Sequence, residues 1–145
     1  MKTCIYILGL ILLSSCTSAR VTDSWVNDDY KDYQPKKILI VGLGSIGRRH
    51  LEIIKSSFPK IEIIVLRYKN CDESETKKLG IKICLTSTKE AINLKPDAAI
   101  IANPSSKHLE IANILAKSGI HLLIEKPISH SSKGVRGLIN LCLEK

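Results

Sequence analysis

Ile38-Leu-Ile-Val-Gly42-Leu-Gly44-Ser-Ile-Gly47 decides how this chain is read. Four apolar, β-favouring residues run directly into G-x-G-x-x-G, and the period then becomes helical, with Gly47, His50, Leu51, Ile54 and Phe58 on one face. Each glycine has its own task in such a strand-turn-helix. Gly42 permits the tight turn, Gly44 lets the backbone approach a pyrophosphate with no side chain between, and Gly47 lets the helix pack closely on the strand. The amides that open the helix, those of Ser45 and Ile46 among them, and its positive dipole end then favour an anion. The competing reading is a glycine-rich turn without a ligand; strand, spacing and helix together favour a dinucleotide.

Outward from this motif the pattern repeats. Ile38–Val41, Ile61–Leu66, Ile81–Cys84, Ala98–Ala102 and Ile120–Ile124 read as strands, several of them apolar at nearly every position, as strands are when helices cover both faces of a parallel sheet. His108, Ile111, Ala112 and Leu115 share one helical face, and so do Val135, Leu138, Ile139 and Cys142. Ser87-Thr-Lys-Glu90 fits a capping box, and Gly119 sits where a helix stops before the next strand. The predicted order is βαβ(βα)βαβα. The fold class is α/β: a Rossmann-type doubly wound parallel sheet in a single domain.

Length and composition agree. The 145 residues suit one domain, and 44% apolar with 25% charged residues excludes disordered and low-complexity classes. Five cysteines without a C-x-x-C pair or Cys/His ligand spacing predict neither a metal site nor a disulfide framework. Residues 1–16 differ in kind: one lysine precedes a ten-residue apolar run of signal-peptide length, too short to span a bilayer. Leu13-Ser-Ser-Cys16 then resembles a bacterial lipobox, which would make Cys16 the lipidation site and anchor the chain to the envelope membrane. An apolar N-terminal strand or helix, and with it a cytoplasmic chain, is the alternative. Residues 17–35 are polar and acidic and read as a tether; residues 1–35 carry −1 and residues 36–145 +9 of the overall +8, so the basic character belongs to the globular part. With 4% aromatics and no basic stripe at helical spacing, nucleic-acid binding is not expected.

Three further positions bear on chemistry. Arg67 stands twenty residues beyond Gly47, where an NAD-binding fold usually carries an acid on the ribose hydroxyls; an arginine there, with Lys69 near, attracts a 2′-phosphate. NADP is therefore the expected cofactor and NAD the alternative, with Asp72, Glu73 or Glu75 as acids that fold back to the ribose. Asn103-Pro104-Ser-Ser-Lys-His108 and Glu125-Lys126-Pro127 follow the fourth and fifth strands, at the edge where open α/β sheets bind ligands. His50, His121 and His130 have no constellation in the sequence and read as structural.

Taken together, the glycine loop, Ala98-Ala-Ile-Ile-Ala-Asn-Pro-Ser-Ser-Lys-His108 and Glu125-Lys-Pro127, in this order and spacing, resemble the N-terminal domain of the Gfo/Idh/MocA sugar and cyclitol oxidoreductases. The resemblance implies that Gly42, Gly44 and Gly47 hold the pyrophosphate and that Asn103 and Pro104 border the nicotinamide ribose. It places Lys126 at the substrate hydroxyl as the catalytic residue, while His108 and Glu125 join the cofactor region by their place at the strand ends, His108 with a helix-face structural role as the alternative. Family members continue into a second α/β domain that contributes to the substrate site, whereas this sequence ends one helix after Glu-Lys-Pro. The expectation is a nicotinamide-dinucleotide-binding module that is catalytically incomplete alone and is partnered by a separate substrate-domain chain or by self-association. The alternative is a non-catalytic, lipid-anchored interaction module. The stripe Val135, Leu138, Ile139, Cys142 and the region of Ile128 are expected to be short of cover.

Overall fold

Strands that are apolar on both sides need helices on both faces. The computed structural model, which describes residues 5–7 and 35–144, meets that need. Its elements are β1 (Ile5–Ile7), β2 (Lys37–Val41), α1 (Ser45–Ser57), β3 (Glu62–Leu66), α2 (Glu73–Lys78), β4 (Ile83–Leu85), α3 (Thr88–Asn93), β5 (Ala98–Ile101), α4 (His108–Lys117), β6 (His121–Ile124) and α5 (Val135–Glu144). The strands form one sheet in the order β1-β6-β5-β2-β3-β4, parallel at every pairing. Between β5 and β3 the chain reverses its direction of winding about β2, which sets the ligand-binding crevice at the carboxyl ends of β2 and β5.

Alternation along the strands divides the core. Leu39, Val41, Ile64, Leu66, Ala99, Ile101, Leu122 and Ile124 point to one side, under Ile111 and Leu115 of α4 and Leu138 and Cys142 of α5. Ile38, Ile40, Val65, Ile100 and Leu123 point to the other, toward Leu51 and Ile54 of α1. In α5, Leu138 and Cys142 are buried, while Ile139 is 42% exposed and Leu143 72% exposed, so only the outer part of the expected stripe is short of cover. Phe58 lies beyond the buried face of α1 and is exposed, because the helix ends at Ser57.

Three findings differ from the sequence reading. First, α2 stands between β3 and β4; it buries no residue, so it has no apolar stripe to announce it, and it is held instead by Asp72, whose side chain accepts from the amides of Ser74 and Glu75. Those bonds and the Arg67 charge lower the Asp72 pKa. Second, Cys71 and Cys84 form a disulfide, with Cα atoms 5.9 Å apart. Neither belongs to a cysteine motif; they meet because β3 and β4 are neighbours. Third, Ile5–Ile7, inside the run read as a signal segment, lie as a strand beside β6, in register with Leu122–Ile124. Cys4, Cys16 and the tether fall outside the described residues, and among the described residues no helix is long and apolar enough to cross a membrane.

Two stability predictions follow from this packing. The bridge closes a short loop, separation 13, so Cys84→Ser should lower the unfolding free energy in urea by about 3 kcal/mol. Reductant should destabilise the wild type similarly and leave the variant unmoved. His121 is buried at the start of β6, and its removal from water depresses the imidazole pKa, against the opposing pull of the Asp97 carboxylate. The unfolded chain therefore takes up that proton first, and stability should fall as pH drops below 6.5 toward the lowered folded value. Urea midpoints between pH 8 and 5 should show this slope reduced in His121→Gln.

Candidate functional site

The crevice begins with a backbone fit. Gly42 has φ +91°, and a Cβ there would stand 2.8 Å from the backbone N and Cα of Asn103; one on Gly47 would stand 2.1 Å from the Gly42 carbonyl oxygen. These two absences let the first turn of α1 sit on the end of β2, beside the turn that follows β5. Gly44 is different: it has ordinary φ, and nothing lies within 4 Å of its missing Cβ. It is the N-cap of α1, with no side-chain cap bond and no acid in the first turn, so the helix presents uncapped amides and an unneutralised positive end.

These amides open on a hollow of about 490 Å³ lined by Gly42, Gly44, Ser45, Ile46, Arg67, Asn103 and Pro104, together with Leu43, Tyr68, Lys69 and Ala102. The structure thus brings together seven of the predicted cofactor positions, with Gly47 directly beneath. Asn103 is 8% exposed, yet neither its Nδ2 nor its Oδ1 has a hydrogen-bond partner. Buried amides are normally paired, and a ligand with donors and acceptors in the hollow satisfies this one. An unobstructed glycine at a helix start beside an orphaned amide fits a dinucleotide. A second hollow, about 470 Å³, lies at the amino end of β3 among Lys55, Phe58, Lys60, Glu62 and Lys82, away from the edge where such sheets bind ligands.

At the far end of the crevice Arg67 leaves β3, its N–H donating to the Leu85 carbonyl at 2.8 Å. Its guanidinium pairs with Oε2 of Glu75 from α2, while Arg48 of α1 pairs with Oε1 of the same carboxylate. Arg48, in the first turn of α1, thus reaches across to α2 as a partner of Glu75.

His108, Glu125 and Lys126 are not in the lining of the hollow. His108 is buried at the start of α4, with Nδ1 2.9 Å from the Pro127 carbonyl and Nε2 2.6 Å from the Asn103 carbonyl. Both ring nitrogens are engaged with backbone, so His108 ties the turn after β5 to the turn after β6. Glu125 Oε1 lies 2.5 Å from Nε2 of His50, which is buried on α1, and Glu125 Oε2 lies 3.3 Å from the Lys126 amide nitrogen, which donates to it. The sequence reading left His50 without a partner; a histidine one turn after Gly47 on a buried face was the available signal. Lys126 is exposed beyond β6, with Pro127 after it.

A glycine loop between the central strand and its helix, at the switch point of a parallel sheet, defines a dinucleotide-binding Rossmann domain. A model of the Gfo/Idh/MocA oxidoreductase family, described as an NAD-binding Rossmann fold, matches residues 36–145, and the chain belongs to this family. UDP-N-acetylglucosamine 3-dehydrogenase of Acidithiobacillus ferrooxidans is 23% identical over 107 residues, which is 73% of this chain and 33% of that protein. The WlbA dehydrogenase from Bordetella pertussis, solved with NADH and UDP-GlcNAcA, aligns with TM-score 0.67 and 21% identity over 77% of this chain and 35% of its own. GenD2 from gentamicin A biosynthesis, solved with NAD, aligns with TM-score 0.67 and 23% identity over 77% and 32%. The chain spans about a third of the length of these relatives.

The glycines supply a direct test. Gly47→Ala should destabilise the fold by about 3 kcal/mol or prevent it, because helix and strand must separate to admit the methyl group. Gly44→Ser should leave the melting temperature of the unliganded chain unchanged or higher, since serine caps helices well. The same change should weaken dinucleotide binding at least tenfold, read by calorimetry.

Proposed function

We propose that this chain is the cofactor-binding portion of an oxidoreductase acting on secondary alcohols of sugars or cyclitols, with NADP as the preferred dinucleotide. The observation that carries this is the uncapped start of α1 at Gly44, facing the same hollow as the orphaned Asn103 amide. The amides of Ser45 and Ile46 hold the pyrophosphate and Asn103 and Pro104 border the nicotinamide ribose. Arg67 and Lys69 share the adenosine-end hollow with Asp72, Glu73 and Glu75, and the Arg67 guanidinium at the end of β3 is the group that attracts a 2′-phosphate. When bound, the nicotinamide ring accepts or donates hydride.

Lys126 is the residue assigned to the substrate. Its Nζ either donates a hydrogen bond to the substrate oxygen or takes the hydroxyl proton as hydride leaves the carbon. Glu125 positions it, held by His50 on one oxygen and by the Lys126 amide on the other. His108 keeps that turn against the Asn103 turn. Substrate contacts come from a second α/β domain, on a separate or continuing chain. A non-catalytic interaction module finds no support in the matched relatives. The Cys71–Cys84 bridge supports placement in an oxidising compartment.

Calorimetry on the full chain should show saturable binding of both NADPH and NADH, NADPH the tighter. At free NADPH one hundred times its Kd the stability gain should be about 2.7 kcal/mol. Absence of binding by either dinucleotide would overturn the reading, and tighter NADH would overturn the assignment of Arg67.

A further inference from the structure

The adenosine end of the crevice holds an ion triad that the dinucleotide reading does not require. Glu75 comes from a six-residue helix that buries nothing, yet it is only 21% exposed, because two guanidinium groups from different elements enclose it: Arg48 from α1 and Arg67 from the end of β3. The neighbouring acids are placed otherwise. Asp72 is committed to the cap of α2, its Oδ1 accepting from Ser74 N at 2.8 Å and Glu75 N at 3.2 Å, and Glu73 is exposed in the first turn. The disulfide fixes Cys71, directly before that cap, to β4, so the position of Glu75 over Arg67 is set by a covalent tie as well as by charge.

Resting on the proposed dinucleotide site, we infer that Glu75 is a specificity-determining residue: its carboxylate is an internal anion in the place between Arg48 and Arg67 that a 2′-phosphate takes, so it holds down the preference for NADP over NAD. The chemistry is an exchange. A phosphate monoester dianion forms the same charge-assisted bonds to the two guanidinium groups as the carboxylate, and it must either displace that carboxylate or lie against its negative charge. A 2′-hydroxyl imposes neither demand and donates a hydrogen bond to the carboxylate. Glu75 therefore opposes one cofactor and tolerates the other, and it acts through Arg67.

The test is calorimetry of NADPH, NADH and the fragments 2′,5′-ADP and 5′-AMP with the full-length wild type, Glu75→Gln, Arg67→Gln and the double variant. Glutamine keeps the length and one acceptor of Glu75 while removing its charge. Glu75→Gln should raise the NADPH-to-NADH affinity ratio at least fivefold, with a parallel rise for 2′,5′-ADP over 5′-AMP and no gain for NADH. Arg67→Gln should collapse the ratio, and adding Glu75→Gln to it should restore less than twofold, since the two residues are coupled. Unfolding midpoints accompany each titration, and a stability change that moves all four ligands equally would assign Glu75 a purely structural role and overturn the inference. An unchanged or lower ratio in Glu75→Gln would overturn it as well. Failure of every protein to bind either dinucleotide would instead overturn the site reading beneath it.

Discussion

Everything at the carboxyl edge depends on one contact, the seating of the first turn of α1 on the end of β2. It exists because Gly47 and Gly42 lack side chains: a Cβ on Gly47 would fall 2.1 Å from the Gly42 carbonyl oxygen, well inside contact distance. Gly42 in turn stands against the backbone of Asn103, which fixes the turn after β5 relative to the glycine loop. From that seating come the direction of the α1 amides, the approach of His50 to Glu125 and the reach of Arg48 to Glu75. One helix thereby organises the glycine loop, the Glu125-Lys126 turn and the Arg67–Glu75 end of the crevice together.

The polar clamps behind the site have a different function from the residues that line it. His108 joins the turns after β5 and β6, and the pair of His50 and Glu125 joins α1 to the residue before Lys126. Both are largely removed from water, where hydrogen bonds are stronger and an unmade one is more costly, so they hold the two turns firmly together. The lining itself is left with an exposed glycine, uncapped amides and an unpaired Asn103 side chain. Rigid support beneath an unsatisfied surface is the arrangement expected of a binding site whose remaining partners come from its ligand.

Much of the fold was legible in the sequence because its strands are apolar at consecutive positions and its glycine motif is locally determined. Ile38–Val41, Ala98–Ala102 and Ile120–Ile124 lie within a residue of the observed strands, and Gly42, Gly44 and Gly47 have the geometry that their spacing implies. What escaped was whatever needed topology. α2 has no buried face, Cys71 meets Cys84 only once β3 and β4 are neighbours, and His50 meets Glu125 across 75 residues. Arg67 lines the hollow from the end of β3, but its partner became visible only with α2, since Glu75 is one of three acids in a short span and only it faces both arginines.

The central claim, that a dinucleotide lies across the start of α1, is tested most directly by a two-dimensional ¹⁵N–¹H NMR titration of the full chain with NADPH. The account predicts the largest shifts at the backbone amides of Gly44, Ser45 and Ile46 and at the side-chain amide of Asn103, with smaller ones at Arg67. Shifts confined to the hollow at Lys55, Phe58 and Lys82, or none anywhere, would contradict it.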